Sequence, residues 1–146
     1  MLKRLFYFLY LLFLVYIVWI LPGEAKPHAT MNLIPLQTIR LYFTAFIHGY
    51  VPMYIIISNL IGNIVLFIPI GFLLFNYLRH MGGIVILFFS FYIPVYIEIV
   101  QLLLYLVGYG TRSLDIDDVL LNMLGIWIGY FVAFIFWSNR SRKKST

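Results

Sequence analysis

The sequence predicts an all-α protein, a polytopic membrane bundle of four transmembrane helices plus an extracellular interfacial or re-entrant helical segment. Three observations carry this. Of the 146 residues, 64% are apolar and only 10% are charged, against about half and about a quarter in a soluble domain. The apolar residues fall in four runs, about residues 5–21, 53–78, 84–107 and 115–137, each near the roughly 20 residues that a bilayer core requires. The basic residues flank these runs instead of spreading over them, which is a membrane pattern and not a nucleic-acid one. The mean hydropathy is +1.00.

The first run follows Lys3 and Arg4 as a signal peptide would, but it is longer than the usual apolar region of about 7–15 residues. The PGEAKP stretch after it is a poor cleavage site, so the reading is a retained helix. Orientation follows from charge. Lys3, Arg4, Arg79, Arg140, Arg142, Lys143 and Lys144 fall on one side, and Lys26, Arg40 and Arg112 on the other. The richer side is cytoplasmic. Both termini are then inside, residues 138–146 form a basic cytoplasmic tail, and the whole chain is a single multi-pass domain. Trp19, Tyr105, Tyr109 and Trp137 sit near predicted helix ends, where interfacial aromatics collect.

Residues 22–52 form the extracellular segment. Within it Leu36, Ile39, Phe43 and Phe46 recur at helical spacing, with Gln37, Arg40, Thr44 and His48 between them. That pattern predicts an amphipathic helix, either lying in the outer interface or packed as a cap on the other helices.

The polar residues converge in the outer half of the predicted bundle. Asn59 and Asn63 share a face of the second span, and Asn63 lies roughly 16 Å deep at the helical rise per residue. In the third span Glu98 and Gln101 are three apart, with Glu98 roughly 14 Å below the outer end. In the fourth, Asp115, Asp118 and Asn122 follow i, i+3, i+7, and Gly125 and Gly129 continue the stripe. A charged side chain at the middle of a span costs about 2.5–3.5 kcal/mol, so Glu98 is expected to face partners or a wet cleft. The simplest arrangement is a funnel open to the outside, floored by Glu98 and Asn63 and rimmed by Arg112 and the aspartates.

Duller roles stand beside this one. Asp115 and Asp118 suit capping at a helix start, which accounts weakly for Asp117 and not at all for Glu98. Asn63, Gln101 and Asn122 suit hydrogen bonds between helices, and Gly125-x-x-x-Gly129 suits close packing. Glu98, Asp115, Asp117 and Asp118 against Arg112 give −3 if all are ionised. Either some carboxyls are protonated or a hard divalent ion, Mg²⁺ or Ca²⁺, is drawn to Glu98, Asp115 and Asp118. There is no cysteine, and no H-E-x-x-H, phosphate-binding loop or G-x-S-x-G motif occurs.

Four pieces occur together: NLIP at 32–35, NLIGNIVLFIPIGFLL at 59–74, E-x-x-Q at 98–101, and R-x-x-D-I-D-D-x-x-x-N-x-x-G at 112–125. In that order and with those gaps, the pattern resembles the VanZ family over about residues 32–130. Leu36 and Met123 are mild departures from its commoner residues. The resemblance implies that Asn63, Glu98, Gln101, Arg112, Asp115, Asp117, Asp118 and Asn122 belong to a shared core. It also implies a place in the bacterial cell envelope and lowered susceptibility to lipoglycopeptides such as teicoplanin.

Three functional readings follow. The first is a resistance or envelope protein acting where an acylated drug enters the outer leaflet, with membrane lipid and the lipoglycopeptide as partners. The second is a membrane-embedded enzyme acting on a lipid or a lipid-linked envelope precursor, with Glu98, Asp115 and Asp118 as candidate acid and base. The third is a non-catalytic binding or assembly partner whose polar seam joins its helices.

Overall fold

A computed structural model describes residues 2–21, 31–109 and 114–142. Five helices account for most of them. The helix α1, Leu2–Val15, runs into a π turn at Tyr16–Ile20. It is followed by α2 at Gln37–Ile47, α3 at Met53–Leu78, α4 at Gly83–Leu106 and α5 at Ile116–Arg142. The only strand-like pairing among the described residues is one parallel bridge between Asn32 and Asp115.

The long helices form where the sequence is apolar and lacks a break. At 1.5 Å per residue, α3 is about 39 Å long, more than the roughly 30 Å of a bilayer core. Pro69 and Pro94 lie inside α3 and α4 without ending them, which neighbouring helices make tolerable. The tight connection from α3 to α4 uses Gly82 at φ 86°, a conformation that glycine adopts without a Cβ penalty.

Three helices, α3, α4 and α5, are long and apolar enough to cross a membrane. The apolar part of the first helix, Arg4–Ile20, is shorter. It nevertheless packs along the bundle. Asn76 Nδ2 donates to Tyr7 Oη at 2.9 Å, Tyr10 Oη to the Leu66 carbonyl at 2.7 Å, and Gln101 Nε2 to the Val18 carbonyl at 3.1 Å. Its start therefore lies beside the end of α3, and its finish beside the end of α4. The expected tail at 138–146 begins as helix, since α5 continues to Arg142. No glycine or proline lies between Trp137 and Arg142, and basic residues suit a helix C-terminus.

The bundle is built on the pairing of α3 with α5. Gly71, Gly125 and Gly129 let the two backbones touch. A Cβ on Gly71 would overlap the backbone of Ile126 and Tyr130, and one on Gly125 or Gly129 would overlap the Ile64 or Ile68 carbonyl. Small residues at such crossings are the usual means of tight packing in membranes. The core beside this seam is Leu14, Val18, Phe67, Ile70, Leu74, Ile97 and Ile126. Outside it, most large apolar side chains on α1, α3, α4 and α5 are exposed, as suits helices whose solvent is lipid.

The Gly71→Ala protein is expected to lose about 1–3 kcal/mol of stability by overpacking, measured by unfolding in detergent. Gly62→Ala is the control and should lose nothing, because a Cβ there meets no atom within 4 Å.

Candidate functional site

Where α3 begins, α4 ends and α5 begins, a knot of buried polar groups closes one end of the bundle. It is assembled from four separate stretches of chain. Asn32 pairs with the residues before α5: its amide donates to the Leu114 carbonyl at 3.0 Å, and its carbonyl accepts from the Ile116 amide at 2.9 Å. That pairing lays the 32–39 segment across the start of α5.

Asp115 sits just before α5 and is 3% exposed. Its Oδ1 accepts from the Asp117 amide at 3.0 Å, the bond of an N-cap residue to the second helical residue. The same carboxylate accepts from Asn32 Nδ2 at 3.0 Å and from Thr38 Oγ1 at 2.6 Å. Asn32 Nδ2 also donates to Thr38 Oγ1 at 2.8 Å. Glu98, 2% exposed on α4, accepts the Asp115 amide at 3.0 Å through Oε2. Capping therefore explains Asp115, and Glu98 ties the capped turn to α4.

Asp117 is wholly buried and caps a different helix. Its carboxylate accepts from the backbone amides of Leu36, Thr38 and Ile39, the first turn of α2. Helix starts carry four amides with no partner inside the helix. The residue before α2 is Leu36, at φ 66° and with no side-chain cap of its own. Asp117 supplies from α5 what the local sequence lacks. An acidic group at a helix N-terminus also meets the positive end of the dipole.

Asp118, next in sequence, turns to α3, where its Oδ1 accepts from Asn63 Nδ2 at 2.6 Å. Asn122 lies one helical turn further along the same face of α5 and is 3% exposed. Among the described residues its Oδ1 has no hydrogen-bond partner. Such an orphan is costly, about 1–3 kcal/mol, and calls for a reason.

Of the sequence-predicted residues, Asn63, Glu98, Asp115, Asp117 and Asp118 thus meet at one end, with Asn122 on the adjoining face. Gln101 is buried but spends its amide on α1. Asn59 does not join them: it is exposed and donates to the Ile55 carbonyl of its own helix at 2.9 Å. Arg112 lies outside the described residues. With Arg112, part of the rim of the expected funnel lies outside the described residues. The Asp115 and Asp117 carboxylates are packed under the 32–39 segment, whose backbone amides, Asn32 and Thr38 donate to them, while Asp118 takes a bond from α3 and Glu98 one from the turn before α5.

The candidate divalent site at Glu98, Asp115 and Asp118 is likewise not assembled. Among the described residues no three His, Cys, Asp or Glu side chains are placed to hold a metal ion. Each acid is aimed at a different neighbour. Asn32 and Thr38 are the site residues that sequence reasoning passed over. Asn32 was visible within NLIP, whereas Thr38 carries no signal of its own.

A family model described as VanZ/LLP1 matches residues 5–137 of the chain. No curated protein and no solved structure matches it.

Asp117→Ala should lower stability by about 1.5–3 kcal/mol, the range for hydrogen bonds to charged groups. Hydrogen exchange should then speed up at the amides of Leu36, Thr38 and Ile39. Asn59→Ala should stay within about 0.5 kcal/mol of the parent.

Proposed function

The chain belongs to the VanZ/LLP1 family and is a membrane protein with three helices long and apolar enough to cross a bilayer; from that premise we propose that it works in the bacterial plasma membrane and lowers susceptibility to lipoglycopeptide antibiotics of the teicoplanin type. The distribution of basic residues supports an orientation with the acid end outside and both termini in the cytoplasm. The contacts of α1 near both ends of the bundle support a fourth crossing.

The action proposed is binding, not turnover. A drug with a fatty chain partitions into the outer leaflet, where the acid end would lie. The surface it would meet there includes Leu33, Ile34, Leu36, Phe43 and Ile47, all exposed. These residues lie on or just before α2, a helix with no buried residue of its own. The observation that carries the reading is the Asp117 carboxylate across the start of α2. It fixes an apolar, lipid-facing segment in place through polar bonds, leaving the apolar side chains available to an acyl chain or to outer-leaflet lipid.

One observation favours a second reading, an enzyme acting on a lipid or lipid-linked envelope precursor. The buried Asn122 Oδ1 has no partner among the described residues and shares a face of α5 with Asp118. A substrate hydroxyl or amine would satisfy it, leaving Asp118 or Glu98 within the same polar region as acid or base.

Expression of the protein should raise resistance to teicoplanin more than to vancomycin, which lacks the fatty chain. Equal shifts in inhibitory concentration would remove the acyl-chain mechanism. The two readings part at Asp118→Asn and Asn122→Ala. On the binding reading both proteins fold and keep resistance. If they fold and lose it while a lipid-linked precursor changes in abundance, the enzyme reading replaces it.

A further inference from the structure

A second site lies at the opposite end of the bundle, in a groove of about 580 Å³ between α1, the end of α3 and the end of α5. Ligand sites typically enclose roughly 300–1,000 Å³. Aromatic rings form much of its wall, among them Phe6, Phe72 and Phe136, and Phe6 and Phe136 are largely exposed. Two arginines, Arg79 and Arg140, also line it, and among the described residues no acidic one does.

Charge separates this end from the other. Glu98, Asp115, Asp117 and Asp118 all belong to the acid end, and Glu24 lies outside the described residues. Among the described residues neither arginine has a carboxylate partner. Arg79 is nonetheless held in place. Its guanidinium carbon sits 4.9 Å from the centre of the Trp137 ring and 5.5 Å from that of Phe75, and its Nε donates to His80 Nε2 at 3.2 Å. Ring stacking of this kind orients the planar fork and removes part of its water. The remaining N–H groups of the fork are donated to no described residue.

Depth agrees with charge. Arg79 directly follows α3, and Arg140 lies in the last turn of α5. Helices of about 39 Å exceed the hydrocarbon core, so their ends reach the headgroup layer. A positioned, unpaired guanidinium at that depth, above exposed rings, matches a phosphate joined to acyl chains. An arginine fork binds phosphate bidentately.

We propose that this groove is a binding site for an anionic phospholipid, with Arg79 and Arg140 on the phosphate and the aromatic wall along an acyl chain. The competing structural role is that the two arginines only neutralise the negative ends of α3 and α5. That role predicts no choice between lipid headgroups.

The test is native mass spectrometry of the full-length protein in neutral detergent, titrated with phosphatidylglycerol, phosphatidylcholine or glycerol 3-phosphate. The parent protein should retain phosphatidylglycerol about tenfold more tightly than phosphatidylcholine, the scale of one charge-assisted bond. Glycerol 3-phosphate, which lacks the chains, should bind far more weakly. The paired Arg79→Gln and Arg140→Gln changes should abolish the preference, and Arg79→Lys with Arg140→Lys should keep part of it. Equal retention of the two lipids by the parent overturns the proposal. So does glycerol 3-phosphate binding as tightly as the lipid, or an undiminished preference in the glutamine variant. The comparison of lipids on the parent needs no variant, so it decides the matter even if a variant fails to fold.

Discussion

A buried carboxylate needs donors, and the start of a helix needs acceptors. The bond from Asp117 to the first turn of α2 meets both needs at once. Without it, a wholly buried acid would carry a desolvation cost of several kcal/mol, and α2 would begin with amides facing no partner. Since α2 buries no residue, the hydrophobic effect does little to place it. Its position rests instead on Asp117, on the Thr38 bond to Asp115, and on the short pairing of Asn32 with the residues before α5.

The glycine seam and the polar knot depend on one another. Close contact of Gly125 and Gly129 with the α3 backbone sets α5 in register with α3. That register brings Asp118 to Asn63. Glu98 then fastens α4 to the capped turn through the Asp115 amide. The three aspartates in the stretch DIDD are thereby sent to different places: Asp115 to the cap of α5 and to Thr38, Asp117 to α2, and Asp118 to α3. The burial of charge costs little net energy because each acid has its own donors. Among the described residues, the same arrangement places no three of these acids to hold a metal ion.

Much of this was legible in the residues. The long apolar runs gave α3 and α4 nearly to the residue and the start of α5, which continues five residues past the expected end at 137; the 3.6-residue recurrence of Leu36, Ile39, Phe43 and Phe46 gave α2. The i, i+3, i+7 spacing pointed to Asp115, Asp118 and Asn122; Asp115 stands just before α5, and Asp118 and Asn122 lie one turn apart within it. The role of Asp117 was not legible, because its partners are backbone amides, which every residue carries and no motif marks. Thr38 was missed for a related reason, its acceptor being 77 positions away. Asn59 misled through its spacing from Asn63. An asparagine within a helix can turn back to the carbonyl four residues earlier, and this one does.

The central claim is that the 32–39 segment is bound to the start of α5 by hydrogen bonds to its aspartates. The most direct measurement is a double-mutant cycle on unfolding free energy with Thr38→Val and Asp115→Asn. Side chains in direct contact give coupling energies of about 0.5–3 kcal/mol, and a value in that range is predicted for this pair. Losses that simply add, to within about 0.3–0.5 kcal/mol, would mean that the two residues do not meet and would contradict the account.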